Sequence, residues 1–320
     1  DGTGWSAISL DGSTIFGSVT QSYWWGMDVQ YESQSGDALM VWTDGSNVEY
    51  ATWDGASWSS VSTLSIYSGS TPRQLQLAAS PNADEMVLVV SDANDRDTAY
   101  VWNGSSWGNS IELATNSADD KTDVNVVYQQ QSGDAVVVYG SGSKNVQARV
   151  WDGASWGSPL AFAAPGGVSG NVRWTMVDAD PNSDNIAIGV VTTSSEIWAG
   201  VIDGVSWSPN LLSTSAPTTA APVVDVAFES NSGDLLIAFA ESGINTPLFK
   251  TWSAGSGWSS IAQKVTETGA VVNSLTLSSD PTSDRIMLAV QDSGSDLNYV
   301  LWNGSSWGTC LLYTSPSPRD

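Results

Sequence analysis

The sequence predicts an all-β fold assembled from successive copies of one four-stranded unit, and three observations predict it. The first is a motif, Trp53-Asp54-Gly55-Ala56-Ser57-Trp58, that returns as Trp102 to Trp107, Trp151 to Trp156 and Trp302 to Trp307. Two further copies are edited: Ile202 replaces the first Trp of the copy ending at Trp207, and the copy from Trp252 to Trp258 has one residue more. A seventh, ending at Trp5, is cut at Asp1, and the closing tryptophans lie 53, 49, 49, 51, 51 and 49 residues apart. The second is a small-x-Asp landmark upstream of each complete motif, at Asp37, Asp84, Asp134, Asp184, Asp234 and Asp284. The third is an apolar run after each landmark, such as Met86 to Val90 or Leu235 to Phe239, with no convincing helical periodicity anywhere.

Each element of the unit has its own signal. Strand A is an alternating segment such as Asp28 to Tyr31 or Val124 to Tyr128, as expected where one face is wetter. The small-x-Asp landmark then forms a turn that the Asp side chain is expected to close on the local backbone. Strand B is the apolar run, rich in β-branched residues and expected to be buried on both faces. After a loop, strand C ends at the first Trp of the motif. Asp-Gly and Asn-Gly are strong hairpin signals because Gly accepts positive φ readily and Asp or Asn tolerates it, so strand D starts at the second Trp. The two indoles are then cross-strand partners, worth about 0.5–1.5 kcal/mol beyond their buried area. Twelve of the 17 tryptophans belong to these motifs and are read as structural.

Four antiparallel strands in about 50 residues make one blade of a β-propeller. Six complete repeats follow a partial blade or D strand within residues 1–20, so residues 1–309 are read as a single six-bladed propeller domain, seven or eight blades being the alternative for a longer chain. Cys310 to Asp320 reads as an in-frame translation of a sequencing adapter and is expected to lie outside the fold. With the first motif cut as well, the chain reads as a fragment, one monomeric domain of a larger metagenomic bacterial protein.

The repeats resemble those of secreted bacterial β-propellers and, more loosely, the kelch, Asp-box (sialidase-type) and fucose-lectin groups, over residues 1 to about 309. The resemblance identifies the blade and not the ligand. An Asp box has a residue between its Asp and Gly, whereas Asp54-Gly55 and Asp152-Gly153 are adjacent here. No Arg, Glu and aromatic set recurs from blade to blade as it does in fucose lectins.

Charge and composition remove several classes of function. With 34 acidic against 10 basic residues the net charge is -24, which repels nucleic acid and anionic lipid. No run approaches the ~18 apolar residues of a membrane-spanning helix, so no membrane insertion is expected. There is no histidine, which excludes Ser-His-Asp and Cys-His machinery and His-based zinc sites. An extracellular or cell-surface location suits this acidity and the lack of any thiol once Cys310 is set aside with the tail.

In a propeller the A-B and C-D turns share one face and the B-C and D-A loops the other. Here the first set is near-constant and the second varies, so the variable face is expected to meet a glycan or protein partner. Eleven positions before the repeat Asp lie Arg73, Asp123 and Arg173, with Trp24, Trp25 and Trp174 nearby; these six residues are the expected ligand site. No cofactor is expected, weak calcium binding at Asp92, Asp95 and Asp97 being the alternative. The function read from the sequence is a non-catalytic binding or scaffold propeller. A glycoside hydrolase, which would need two paired carboxylates, and a multivalent lectin are the alternatives.

Overall fold

A computed structural model describes residues 26–67, 70–116, 123–204, 206–218, 221–260, 262–265 and 268–308, together with the backbone of Leu311–Tyr313. The described residues contain strands and turns but no helix. They form six antiparallel sheets with strands in sequence order, five of four strands and one whose fourth strand is split into two pieces, in two compact units, Asp1–Thr115 and Asn116–Asp320.

The first unit holds blades 1 and 2. Blade 1 consists of β1 (Met27–Tyr31), β2 (Ala38–Thr43), β3 (Val48–Trp53) and β4 (Ser62–Leu64). Blade 2 consists of β5 (Pro72–Ala79), β6 (Met86–Asp92), β7 (Asp97–Trp102) and β8 (Trp107–Ala114). The second unit holds four blades. Blade 3 runs through β9 (Val124–Tyr128), β10 (Ala135–Tyr139), β11 (Val146–Trp151) and β12 (Leu160–Phe162). Blade 4 runs through β13 (Val172–Ala179), β14 (Ile186–Thr192), β15 (Ile197–Asp203) and β16 (Ser206–Ser213). In blade 5, β17 (Val224–Phe228), β18 (Leu235–Phe239) and β19 (Leu248–Ser253) are followed by two short outer pieces, β20 (Gly257–Trp258) and β21 (Gln263–Lys264), both paired with β19. Blade 6 is β22 (Val272–Ser279), β23 (Ile286–Asp292), β24 (Leu297–Trp302) and β25 (Leu311–Tyr313). Its outer strand is thus drawn from the tail expected to lie outside the fold, Leu311 pairing with Tyr299 and Tyr313 with Leu297.

The Trp motif is the hairpin its sequence implies. Trp53 bridges to Trp58, Trp151 to Trp156 and Trp302 to Trp307, and Trp102 pairs with Trp107. Their ring centroids lie 5.4–5.6 Å apart. At the turn, Asp54 Oδ1 accepts the N–H groups of Ala56 and Ser57 at 2.9 and 2.7 Å, and Asn103 Oδ1 accepts those of Ser105 and Ser106 at 3.1 and 2.9 Å. A single side-chain oxygen does this work, which is why Asp and Asn alternate freely there. The following Gly55, Gly104, Gly153 and Gly304 sit at φ of 82–90°, where a Cβ would be strained.

The repeat Asp has a different task from the expected one in alternate blades. Asp84 Oδ1 accepts the N–H groups of Gln34 and Ser35 in the turn of the preceding blade, at 2.8 and 3.0 Å. Asp184 does the same for Gln131 and Ser132, and Asp284 for Asn231 and Ser232. The turns so held belong to blades 1, 3 and 5, which close themselves with a serine: Ser35, Ser132 and Ser232 accept the N–H of Asp37, Asp134 and Asp234. The carboxylates join blades in pairs rather than closing their own hairpins.

This pairing doubles the period from about 50 to about 100 residues. Odd blades have inner strands of five residues; even blades have inner strands of eight, with a bulge at Arg73, Arg173 and Asn273. The even B-C turns place Asp95, Ser195 and Ser295 at positive φ. Across the odd-to-even junction, the Trp102 indole N–H donates to buried Glu32 at 2.9 Å, and Trp302 to Glu229 at 2.6 Å. In the third pair both partners are replaced, by Ile202 and Gln129, and the Gln129 amide donates instead to the Asp184 carbonyl.

That natural swap can be copied into the first unit. Trp102→Ile should destabilise by about 2–4 kcal/mol, through lost aromatic volume and a buried carboxylate without its donor. Adding Glu32→Gln should recover about 1 kcal/mol, since an uncharged amide is less penalised there. Urea midpoints of the two variants test this: a double variant no more stable than the single one would refute the coupling.

Candidate functional site: a cavity among the inner strands of the second unit

Each inner strand is paired within its sheet on one edge only, so N–H groups on its other edge need acceptors from elsewhere. Side chains of the neighbouring blade supply them. Asp28 in β1 accepts the Leu77 N–H of β5 at 2.8 Å. Asn125, the equivalent in β9, donates to the Thr175 carbonyl and hydroxyl of β13. Asp225, the equivalent in β17, accepts the Leu277 N–H at 2.8 Å and the Thr276 hydroxyl at 3.0 Å from β22. Asp178 in β13 accepts the Phe228 N–H of β17 at 2.8 Å.

Between these strands in the second unit is a cavity of about 480 Å³, in the range of small-ligand pockets. Asp178 and Asp225 both line it, with Gln130, Ser230 and Ser278 as further polar groups and Pro181 and Pro281 as apolar ones. The cavity lies toward the A-B turns. The segments Asp123 and Arg173-Trp174 lie at the opposite ends of β9 and β13.

Burial sets the electrostatics of the pair. It pushes the Asp178 carboxyl up to about 7, backbone hydrogen bonds to Phe228 and Ala179 opposing the rise and the charge on Asp225 adding to it. Burial likewise pushes Asp225 up to about 6 against its bonds to Leu277, Val226 and Thr276. Two carboxyls with raised pKa values lining one cavity can accept hydrogen bonds from ligand hydroxyls and, where protonated, donate one.

The residues expected from the sequence are differently employed. Trp24 and Trp25 lie outside the described residues. Arg73 and Arg173 are the bulge residues of β5 and β13; Arg73 forms an ion pair with Asp95 at 3.7 Å. Trp174 is buried in the apolar core of the second unit. Asp123 is buried with its carboxyl against Gly140, whose N–H meets the Asp123 carbonyl at 2.9 Å.

Of the calcium candidates, Asp92 Oδ1 accepts the N–H groups of Asn94 and Arg96, and Asp97 is buried. Thr192 and Asp292 hold the equivalent turns of blades 4 and 6, so the position does not require a charge. Among the described residues no three acidic, His or Cys groups gather as a metal site would require. Four glutamates have structural partners too: Glu32, Glu49 and Glu229 accept indole N–H groups, and Glu196 anchors Ser169 and Gly170. The carboxylate pair that sequence reading missed was detectable at the doubled period, where Asp28, Asn125 and Asp225 occupy one position and Ala78, Asp178 and Ser278 another.

The raised pKa values fix the direction of a pH dependence. Between the unfolded value near 3.8 and the folded value near 7, the folded chain holds a proton at Asp178 that the unfolded chain has lost. The stabilisation is therefore complete below the unfolded pKa and disappears as pH rises through 7. Asp178→Asn should raise Tm at pH 8 by about 2–4 °C while leaving it nearly unchanged at pH 4. Thermal scans at the two pH values test this; an equal shift at both would mean that titration of Asp178 is not responsible.

Neither a family model nor a curated protein sequence matches the chain. Among solved structures, the chain is similar to the BP39L lectin from Burkholderia pseudomallei, with a TM-score of 0.67 and 11% identity over 90% of this chain and 84% of that one. It is also similar to AofleA from Arthrobotrys oligospora, with a TM-score of 0.51 and 12% identity over 90% of each chain. At these identities the likeness is one of fold, and with the six blade-like sheets it makes the chain a six-bladed β-propeller.

Proposed function

We propose that this chain is a non-catalytic, extracellular carbohydrate-binding propeller domain, and that its site is the cavity of the second unit. The observation that carries the reading is the lining of that cavity: carboxyl, amide and hydroxyl groups interleaved with proline rings, around a volume suited to a monosaccharide or the end of a glycan. Sugar hydroxyls are matched by such acceptors and donors, and the apolar C–H face of a sugar by the proline rings. The BP39L protein, similar in fold, is a lectin, which supports the same class of ligand. This reading moves the site away from the B-C and D-A loops, because Trp174 has no exposed face to offer and Arg73 already meets Asp95.

A glycoside hydrolase is the second reading, and the presence of both Asp178 and Asp225 in one cavity is what favours it, since such enzymes use two carboxyl groups. Against it stands the recurrence of the same side-chain-to-strand bond at Asp28, which accounts for these carboxylates without catalysis.

A glycan-array screen of the full chain tests the proposal. Saturable binding to a defined glycan is expected, weakened about tenfold by Gln130→Ala, as for loss of one good hydrogen bond. Ser278→Trp should block it. Binding that survives both variants, or a blank array, would sink the proposal. Turnover of aryl glycosides abolished by Asp225→Asn would establish the enzyme instead.

A further inference from the structure

The hairpin turns of the Trp motif fall into two settings. In the copies built on Asp54, Asp152 and Asp203, nothing beyond the chain neighbours comes within 4 Å of the point where a Cβ on Gly55, Gly153 or Gly204 would sit. In the two copies built on asparagine, the turn is packed against the repeat Asp. The corresponding point on Gly104 lies 3.1 Å from the Asp84 carbonyl oxygen, and that on Gly304 lies 3.3 Å from Asp284 Cβ and 3.8 Å from a carboxylate oxygen of Glu229. Asp84 and Asp284 are the carboxylates that hold the turns of blades 1 and 5. Either residue makes the same turn bonds, so the uncharged one stands where a carboxylate would face others. Glu229 is already pushed up, by burial first and then by the charges on Asp284 and Asp234, against its bonds to Ser232 and Trp302.

Asn103 and Asn303 are the only asparagines in the sequence followed by glycine, and both are exposed to water. A peptide nitrogen that follows asparagine can attack the side-chain Cγ and close a five-membered ring, and glycine has no Cβ in the way. The N–H groups of Gly104 and Gly304 donate to no acceptor among the described residues, so their nitrogens are not held elsewhere. The attack moves negative charge onto Oδ1, and that oxygen already has four donors. For Asn103 they are the N–H groups of Ser105 and Ser106 at 3.1 and 2.9 Å and their hydroxyls at 3.0 and 3.3 Å. For Asn303 they are the N–H groups of Ser305 and Ser306 at 3.0 and 2.9 Å and their hydroxyls at 3.0 and 3.4 Å. Donors fixed around the oxygen where charge develops lower the barrier as an oxyanion hole does.

We propose that Asn103 and Asn303 are self-modifying sites, each converted to aspartate through a succinimide by the glycine nitrogen and the donors of its own turn. Solvent takes the Gly N–H proton, the nitrogen bonds to Cγ, and the Cγ–Nδ2 bond breaks with loss of ammonia, which carries off a proton from solvent. Water then adds at Cγ and the bond from Cγ to the glycine nitrogen breaks, returning a proton to that nitrogen. The sum is asparagine plus water giving aspartate plus ammonia, with no change of oxidation state. Opening at the main-chain carbonyl, which gives isoaspartate, is disfavoured because the four donors polarise Cγ and direct water there. The product is the turn already present in blade 1, where Asp54 Oδ1 accepts the same two N–H groups. It differs in setting: each conversion adds a charge, one beside Asp84 and the other beside Asp284 and Glu229, and so loosens the junctions within blade pairs 1–2 and 5–6 as the protein ages.

Peptide mass mapping of the full chain, kept folded in mildly alkaline buffer over days to weeks, tests this. A gain of one mass unit is expected at Asn103 and Asn303 and at no other asparagine, with aspartate outweighing isoaspartate. The same chain held unfolded in guanidinium chloride should give mainly isoaspartate at both positions. Ser105→Ala with Ser106→Ala should slow conversion at Asn103 roughly threefold, while Asn303 in the same molecule keeps its rate. The variant Asn103→Asp with Asn303→Asp, which carries the product, should melt about 1–3 °C below the parent at low salt and approach it as salt screens the added charges. Absence of conversion at both sites, an isoaspartate share equal in the folded and unfolded chain, or an unchanged rate in the serine variant would overturn the proposed chemistry. A product variant as stable as the parent at every ionic strength would overturn the loosening.

Discussion

The constraint on which this structure depends is the unpaired edge of the inner strand. A blade satisfies the backbone of strands B and C from both sides but that of strand A from one side, and an amide left without an acceptor in a buried setting costs about 1–3 kcal/mol. The chain meets this need with side chains: Asp28 for Leu77, Asp178 for Phe228, Asp225 for Leu277, and Asn125 working in the opposite sense on the Thr175 carbonyl. A carboxylate is the strongest acceptor available for such a bond. It also brings negative charge into a confined space, and Asp178 and Asp225, in one cavity, respond by holding their protons to higher pH.

The same economy explains why blades come in pairs. Odd and even blades divide the labour within pairs 1–2 and 5–6: the even blade sends its repeat Asp to the turn of the odd blade, and the odd blade offers a carboxylate to the first Trp of the even one. Where Ile202 has lost the indole N–H, Gln129 has lost the charge that the N–H would have satisfied. The replacements are intelligible only together, which marks the junction, rather than the single blade, as the unit that must be kept consistent.

Features governed by local chemistry were legible in the sequence. The Gly turn, the Asx oxygen and the cross-strand Trp pair are all fixed within six residues, and the hairpins lie where Trp53 to Trp58 and its copies put them. Features governed by the doubled period were not, because averaging all six repeats merges Asp225 with Asp178's neighbours and hides both. Strand A misled for a further reason. Its even copies carry a bulge at Arg73 and Arg173, and one inserted residue reverses the faces that simple alternation assigns to everything beyond it. Trp174, expected in the ligand site, is buried in the core.

The cavity inherits its chemistry from that constraint. Its carboxyls are present because inner strands need acceptors, and the ones that face it are already engaged by Phe228, Val226, Leu277 and Thr276. A carboxylate so held is fixed in orientation and keeps lone pairs for a further hydrogen bond, which suits the recognition of hydroxyl groups. A nucleophile in covalent glycoside hydrolysis must instead give its oxygen to carbon, and for Asp225 that would withdraw an acceptor from the strand that bond supports. Binding adds a partner to this network, whereas covalent catalysis removes one, and the difference favours recognition over turnover in a cavity built from structural carboxylates.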